Sequence, residues 1–278
     1  MIRHFLNPPN WFTSASIFCS TYAITLLIGH GAEPATLSRA ALLVVFGGIF
    51  DLLDGRVARM TNRSSAFGVQ LDSLADVISF GVAPAMLVWT WRLQELGLVG
   101  ALVAFWFVLC AAFRLARFNV NAESTNPWPF EGHSQGLTST MAGGSLVTAV
   151  WVANGYLGGA FVPSPVAAAV VVGALGLLMV SNVPFRTFKD VRRNRTAARM
   201  FAVAMAACAI SAVALDVSML FGMGAILYMT WGLADGLGVM VLQRRRLRAA
   251  ISAADAAAEA DAAADEASEE EAEPHAVL

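Results

Sequence analysis

Four aspartates, Asp51, Asp54, Asp72 and Asp76, share a stretch that reads Asp51-x2-Asp54-Gly55-x2-Ala58-Arg59-x8-Gly68-x3-Asp72-x3-Asp76. Spacings of three and four put the two members of each pair on one face of a helix. Two such pairs turned toward each other surround one point with hard carboxylate oxygens. That donor set suits Mg2+, Mn2+ or Ca2+ rather than a thiolate-seeking metal. Gly55 and Gly68 remove side chains where a ligand or a neighbouring helix could approach the backbone, and Ala58 extends the small surface. The chemistry that these residues could do is to hold a divalent ion.

The elements that must position them are apolar. Of the 278 residues 57% are hydrophobic and 14% charged, with a mean hydropathy of +0.63; soluble domains carry about 25% charged residues. The composition predicts an all-α, polytopic membrane protein. A carboxylate near the bilayer centre costs at least a few kcal/mol, roughly, so four of them need a cation, water or a functional reason. Two alternatives to a metal stay open on these residues alone. The aspartates could pair with Arg56, Arg59 and Arg63 and tie helices together, or they could line the ion path of a transporter.

Apolar runs predict about eight spans, over 11–28, 37–59, 65–91, 96–115, 137–156, 166–184, 200–215 and 219–242. The polar lead at 1–10 contains Pro8-Pro9, which should interrupt any helix before an interfacial Trp11. The long apolar stretch after Arg3 lacks a small-residue cleavage site, so a cleaved signal peptide is not expected. The second and third spans carry the two aspartate pairs, and the short connection between them makes the spans antiparallel neighbours. With a cytoplasmic N terminus, sixteen Lys and Arg fall inside and only Arg39 and Arg92 outside. The aspartates then open to the cytoplasm, in a multi-pass protein of the cell membrane with both termini inside.

Cys19, Cys110 and Cys208 lie in apolar runs without Cys-x-x-Cys spacing, as buried packing residues do. The chain divides into a membrane-embedded domain, 1–248, and an acidic Ala-rich tail, 249–278, expected to be solvated and without catalytic role. No nucleic-acid partner is expected.

The aspartate stretch resembles the complete signature of the CDP-alcohol phosphotransferase family, D-x2-D-G-x2-A-R-x8-G-x3-D-x3-D, with every fixed position present. The resemblance implies a membrane enzyme that transfers a phosphatidyl or similar group from a CDP-linked donor to an alcohol and releases CMP. It implies that Asp51, Asp54 and Asp72 ligate Mg2+ or Mn2+ with Asp76 sharing the site, and that Asp76 is the general base. Gly55, Ala58 and Gly68 would border the nucleotide, and Arg59 would lie near the phosphates or tie the helices together. A homodimer is implied in the same way.

The stretch 67–84 and the motif Arg114-Leu115-Ala116-Arg117-Phe118-Asn119 resemble the CDP-diacylglycerol:serine branch of that family. They imply CDP-diacylglycerol as donor and serine as acceptor, with glycerol 3-phosphate or an inositol compound as the alternative acceptors. A guanidinium fork at Arg114 or Arg117 suits the acceptor carboxylate or the donor phosphates. The blander role for both arginines is anchoring at the inner membrane face. His133 reads as a solvated loop residue, within a polar loop at 130–137 that could border the acceptor pocket.

Overall fold

The computed structural model describes residues 8–61, 65–123, 128, 133–186 and, in the C-terminal part, 224, 226–227, 229–236, 238–242 and 245. The expected span at 200–215 with Cys208, the whole basic run that follows Arg186 and the acidic tail lie outside the described residues.

Helix α1 runs over Pro8–His30 and α2 over Pro34–Thr61. Pro8 and Pro9 sit in the first turn of α1, where a missing N–H leaves no intrahelical bond unmade, and the lead before them lies outside the described residues. Helix α3, Ala66–Asp76, continues through a π-helical segment, Val77–Val82, into α4, Ala83–Trp91. Pro84 explains the interruption. It cannot donate to the Phe80 carbonyl and its ring would clash there, so the helix widens just upstream. The Phe80 carbonyl instead faces Gly143, where any Cβ would collide with it.

After a short 3-10 turn at Leu93–Leu96 come α5, Leu98–Glu123; strand β1, His133–Gln135; and α6, Ser139–Trp151, with a second π segment at Val152–Tyr156. Helix α7, Pro165–Val180, strand β2, Pro184–Arg186, and an apolar helix α8 at Met229–Leu242 follow. Among the described residues four helical stretches are long and apolar enough to cross a membrane: Pro8–His30, Pro34–Met60, Phe67–Trp91 and Leu98–Asn121. The helical class and the membrane character thus hold, while α7 and α8 are apolar but shorter.

Two features differ from the sequence reading. Helix α5 does not stop near residue 115. It runs on to Glu123, because its polar continuation finds partners inside the protein: Arg114 on Ser139, Asn119 on Ser73 and Asn121 on Gln135. The structure is also not purely helical, since β1 and β2 pair antiparallel with His133 opposite Arg186 and Gln135 opposite Pro184.

The core lies where α1, α2, α4, α5, α6 and α7 meet, around Leu37, Leu87, Phe107, Val147 and Met179. Cys19 and Cys110 are buried, as their setting predicts, and neither is in a disulfide. Polar cross-links show how the helices alternate. Thr13 near the start of α1 bonds Asp54 near the end of α2, and Asn119 near the end of α5 bonds Ser73 of α3. Arg117 of α5 bonds carbonyls at the end of α7. The starts of α1, α3 and α6 and the ends of α2, α5 and α7 therefore gather at one end of the bundle.

Candidate active site

Ser65 starts α3. Its extended backbone (φ −125°, ψ 150°) precedes the helix, and its hydroxyl accepts the Gly68 N–H at 3.0 Å. Counting in fours from Gly68 places Asp72 and Asp76 on the same helical face. On α2 the same periodicity aligns Asp51, Asp54 or Gly55, and Ala58. The two faces meet: ligand-capable oxygens of Asp51, Asp54 and Asp72 all lie within 4.8 Å of one another. Asp54 is buried, Asp51 half-buried and Asp72 exposed. Asp76 stands beside them, its carboxyl group within hydrogen-bonding reach of Asp51.

A cavity opens next to this group. Its walls come from α1 (Pro9, Asn10, Thr13), α2 (Asp54, Gly55, Ala58), the Ser65 cap and α3 (Gly68, Val69, Asp72). Gly55, Ala58 and Gly68 are thus brought to one hollow with two of the aspartates. Arg59 is exposed and is not in that wall; its guanidinium folds back over Gly55, 3.7 Å from where a Cβ would stand. Arg56 is exposed as well. Among the described residues the ion pairs are Arg92–Glu95 and His133–Asp235, so neither arginine pairs with the aspartates, and Arg63 lies outside the described residues.

The two arginines of α5 have different surroundings. Arg114 is 9% exposed, donates to the Ser139 hydroxyl at 3.0 Å, lies over the Phe118 ring at 5.7 Å and acts electrostatically on Asp76. Arg117 faces backbone: it donates to the carbonyls of Val180 (2.8 Å), Gln135 (2.9 Å), Met179 (3.0 Å) and Ser181 (3.3 Å). His133 is not a free loop residue, since its Nε2 lies 3.1 Å from Asp235 of α8.

Residues 6–241 match the family described as CDP-alcohol phosphatidyltransferase. The chain belongs to that family. Similar proteins include the CDP-diacylglycerol–serine O-phosphatidyltransferase of Helicobacter pylori, 39% identical over 188 residues that cover 67% of this chain and 74% of that one. The Bacillus subtilis protein of the same name is 32% identical over 182 residues, 65% of this chain and 90% of its own. The archaetidylserine synthase of Methanothermobacter thermautotrophicus is 36% identical over 152 residues, 54% of this chain and 59% of its own.

The carboxylates of this CDP-alcohol phosphatidyltransferase have the chemistry of a divalent-cation site. Three oxygens converge, and Asp51 Oδ1 is buried without a hydrogen-bond partner, as befits an atom whose partner is an ion. The sequence reading missed Asn10, Thr13, Ser65 and Ser139, all of which border or support the site. One signal for α1 was present: Asn10, Thr13, Ser16 and Ser20 recur at helical spacing in an otherwise apolar run, and all four are buried.

Proposed function

We propose that the chain is a CDP-diacylglycerol–serine O-phosphatidyltransferase, which forms phosphatidylserine and releases CMP. The observation that carries this reading is the complete signature folded into one constellation, with the Asp51, Asp54 and Asp72 oxygens converging beside a hollow walled by Gly55, Ala58 and Gly68. Similarity to serine phosphatidyltransferases over 188 residues supports the acceptor.

In this reading Asp51, Asp54 and Asp72 hold Mg2+ or Mn2+, with Asp76 sharing the site. The bound ion supplies neutralising charge to the donor diphosphate and to the departing CMP. Gly55, Ala58 and Gly68 admit the nucleotide close to the backbone, and Arg59 covers its phosphates. Asp76 accepts the proton of the serine hydroxyl as that oxygen bonds to the phosphorus bearing diacylglycerol and the bond from that phosphorus to the CMP oxygen breaks. A carboxylate is a weak base for an alcohol, so proton transfer coincides with bond formation. Arg114, buried next to Asp76, receives the serine carboxylate or a donor phosphate. Arg117, whose donors face backbone carbonyls, holds the acceptor-side loop in place.

Eight spans, a cytoplasmic site, cytoplasmic termini in the cell membrane, a homodimer, and the division into a 1–248 domain and a 249–278 tail belong to the same proposal. Purified protein given labelled CDP-diacylglycerol, Mn2+ or Mg2+ and a panel of serine, glycerol 3-phosphate and inositol tests the acceptor by lipid chromatography. Phosphatidylserine as the dominant product is expected. A dominant product from another acceptor would overturn serine, and no product with any acceptor would overturn the transferase reading.

A further inference from the structure

We infer that Thr13 is a positioning residue of the carboxylate centre, its hydroxyl setting the orientation of the one buried ligand, Asp54. The inference rests on the metal-dependent reading above. Thr13 and Asp54 are each only 3% exposed, and the Thr13 hydroxyl oxygen lies 2.7 Å from Asp54 Oδ2 and 3.3 Å from the Pro9 carbonyl. A hydroxyl has one hydrogen, and the shorter bond, to an ionised acceptor, takes it. A carboxylate ligand deep in a helix bundle needs a partner to fix its rotamer, and outer partners of this kind govern metal affinity. A cation in that place would compete with the ion for the Asp54 charge. A neutral hydroxyl orients the group and leaves its charge in place.

The helix that carries Thr13 is itself held against both ligand-bearing segments. One and two turns further along α1, Ser16 and Ser20 lie 3.1 and 2.9 Å from the Ser79 hydroxyl, and all three serines are fully buried. Ser79 sits in the π segment three residues after Asp76. Helix α1 is therefore tied to α2 through Thr13 and Asp54, and to the continuation of α3 through Ser79, so Thr13 has a fixed place from which to hold Asp54. Asp51 Oδ1 has no comparable partner and Asp72 is exposed, which leaves Asp54 as the ligand whose geometry is set from outside the signature.

The test is Mn2+ titration of the purified full-length protein without lipid donor, read by electron paramagnetic resonance, for wild type, T13V, T13S and T13A. Thermal unfolding in chelator and in saturating Mn2+ accompanies it. T13V and T13A are expected to weaken Mn2+ binding about 10-fold, and T13S to stay within about twofold of wild type, because serine keeps the donor. Unfolding in chelator should move little, while the Mn2+-induced rise in unfolding temperature shrinks for T13V and T13A. Wild-type affinity in T13V, or affinity in T13S as weak as in T13V, would overturn the Thr13 role and leave the transferase reading standing. Failure of both T13V and T13A to fold while T13S folds would assign the hydroxyl to folding and overturn the role too. A wild-type protein that binds no Mn2+ would overturn the metal-dependent reading and, with it, the inference.

Discussion

Asp76 differs from the other three aspartates in its neighbours. It lies against Asp51 on one side and within the electrostatic reach of Arg114 on the other, whereas Asp51, Asp54 and Asp72 point oxygens at one another. A group that bridges the carboxylate cluster and a buried cation is placed to take a proton from a substrate held between them. D76N is therefore expected to lower turnover about 100-fold or more with donor binding largely kept, and to weaken Mn2+ binding less than loss of a converging carboxylate does. D51N and D72N are expected to weaken Mn2+ binding as well as turnover. Steady-state CMP release, set beside Mn2+ titration of the same samples, separates the two classes. Equal losses in both measurements for all three variants would contradict the division of roles.

At the scale of elements, the proposed acceptor side depends on how the β1–β2 ladder is held. Arg117 links α5 to the carbonyls of Gln135 and of residues 179–181, and Gln135 bridges Asn121 and Asn182. Gly136, at φ +75°, lies under the same guanidinium, and a Cβ there would run into the Met179 carbonyl. G136A combines a left-handed backbone with that collision and is expected to cost more than about 1 kcal/mol. R117M leaves the carbonyls without a charged donor and is expected to cost about 1.5–3 kcal/mol. Thermal unfolding in detergent measures both, and wild-type unfolding in R117M would contradict the strut.

These elements also mark where sequence reading stops. The aspartate pairs were legible because each is local to one helix and their spacing is a helical period. Their approach followed from a short connection. Thr13 pairs with a residue 41 positions away, and nothing in Asp54's own neighbourhood announces it. The acceptors of Arg117 are backbone carbonyls, which every residue has, so no sequence pattern names them. The ladder has three residues per strand and contains Pro184, too short and too irregular for an alternating signal. Helix α5 was cut short for the opposite reason: its polar end looked like a loop until Ser139, Ser73 and Gln135 supplied its partners.

For the whole molecule, one end of the bundle gathers every group proposed to act, and the other end carries Arg39, Arg92 and the Arg92–Glu95 pair. The orientation proposed from the charge distribution has the first end in the cytoplasm. In a cysteine-free background, E33C and E95C are expected to react with a membrane-impermeant maleimide in intact spheroplasts, and S268C only after lysis. The reverse pattern would contradict the orientation. Phosphatidyl transfer on one divalent centre built by α2 and α3, as proposed, is measured most directly by serine-dependent CMP release followed against Mn2+ concentration, together with Mn2+ occupancy of the same protein. Release that is absent in chelator and rises in step with occupancy, with phosphatidylserine formed one for one with CMP, is the expected result. Full release in chelator, or occupancy without any serine-dependent release, would contradict it.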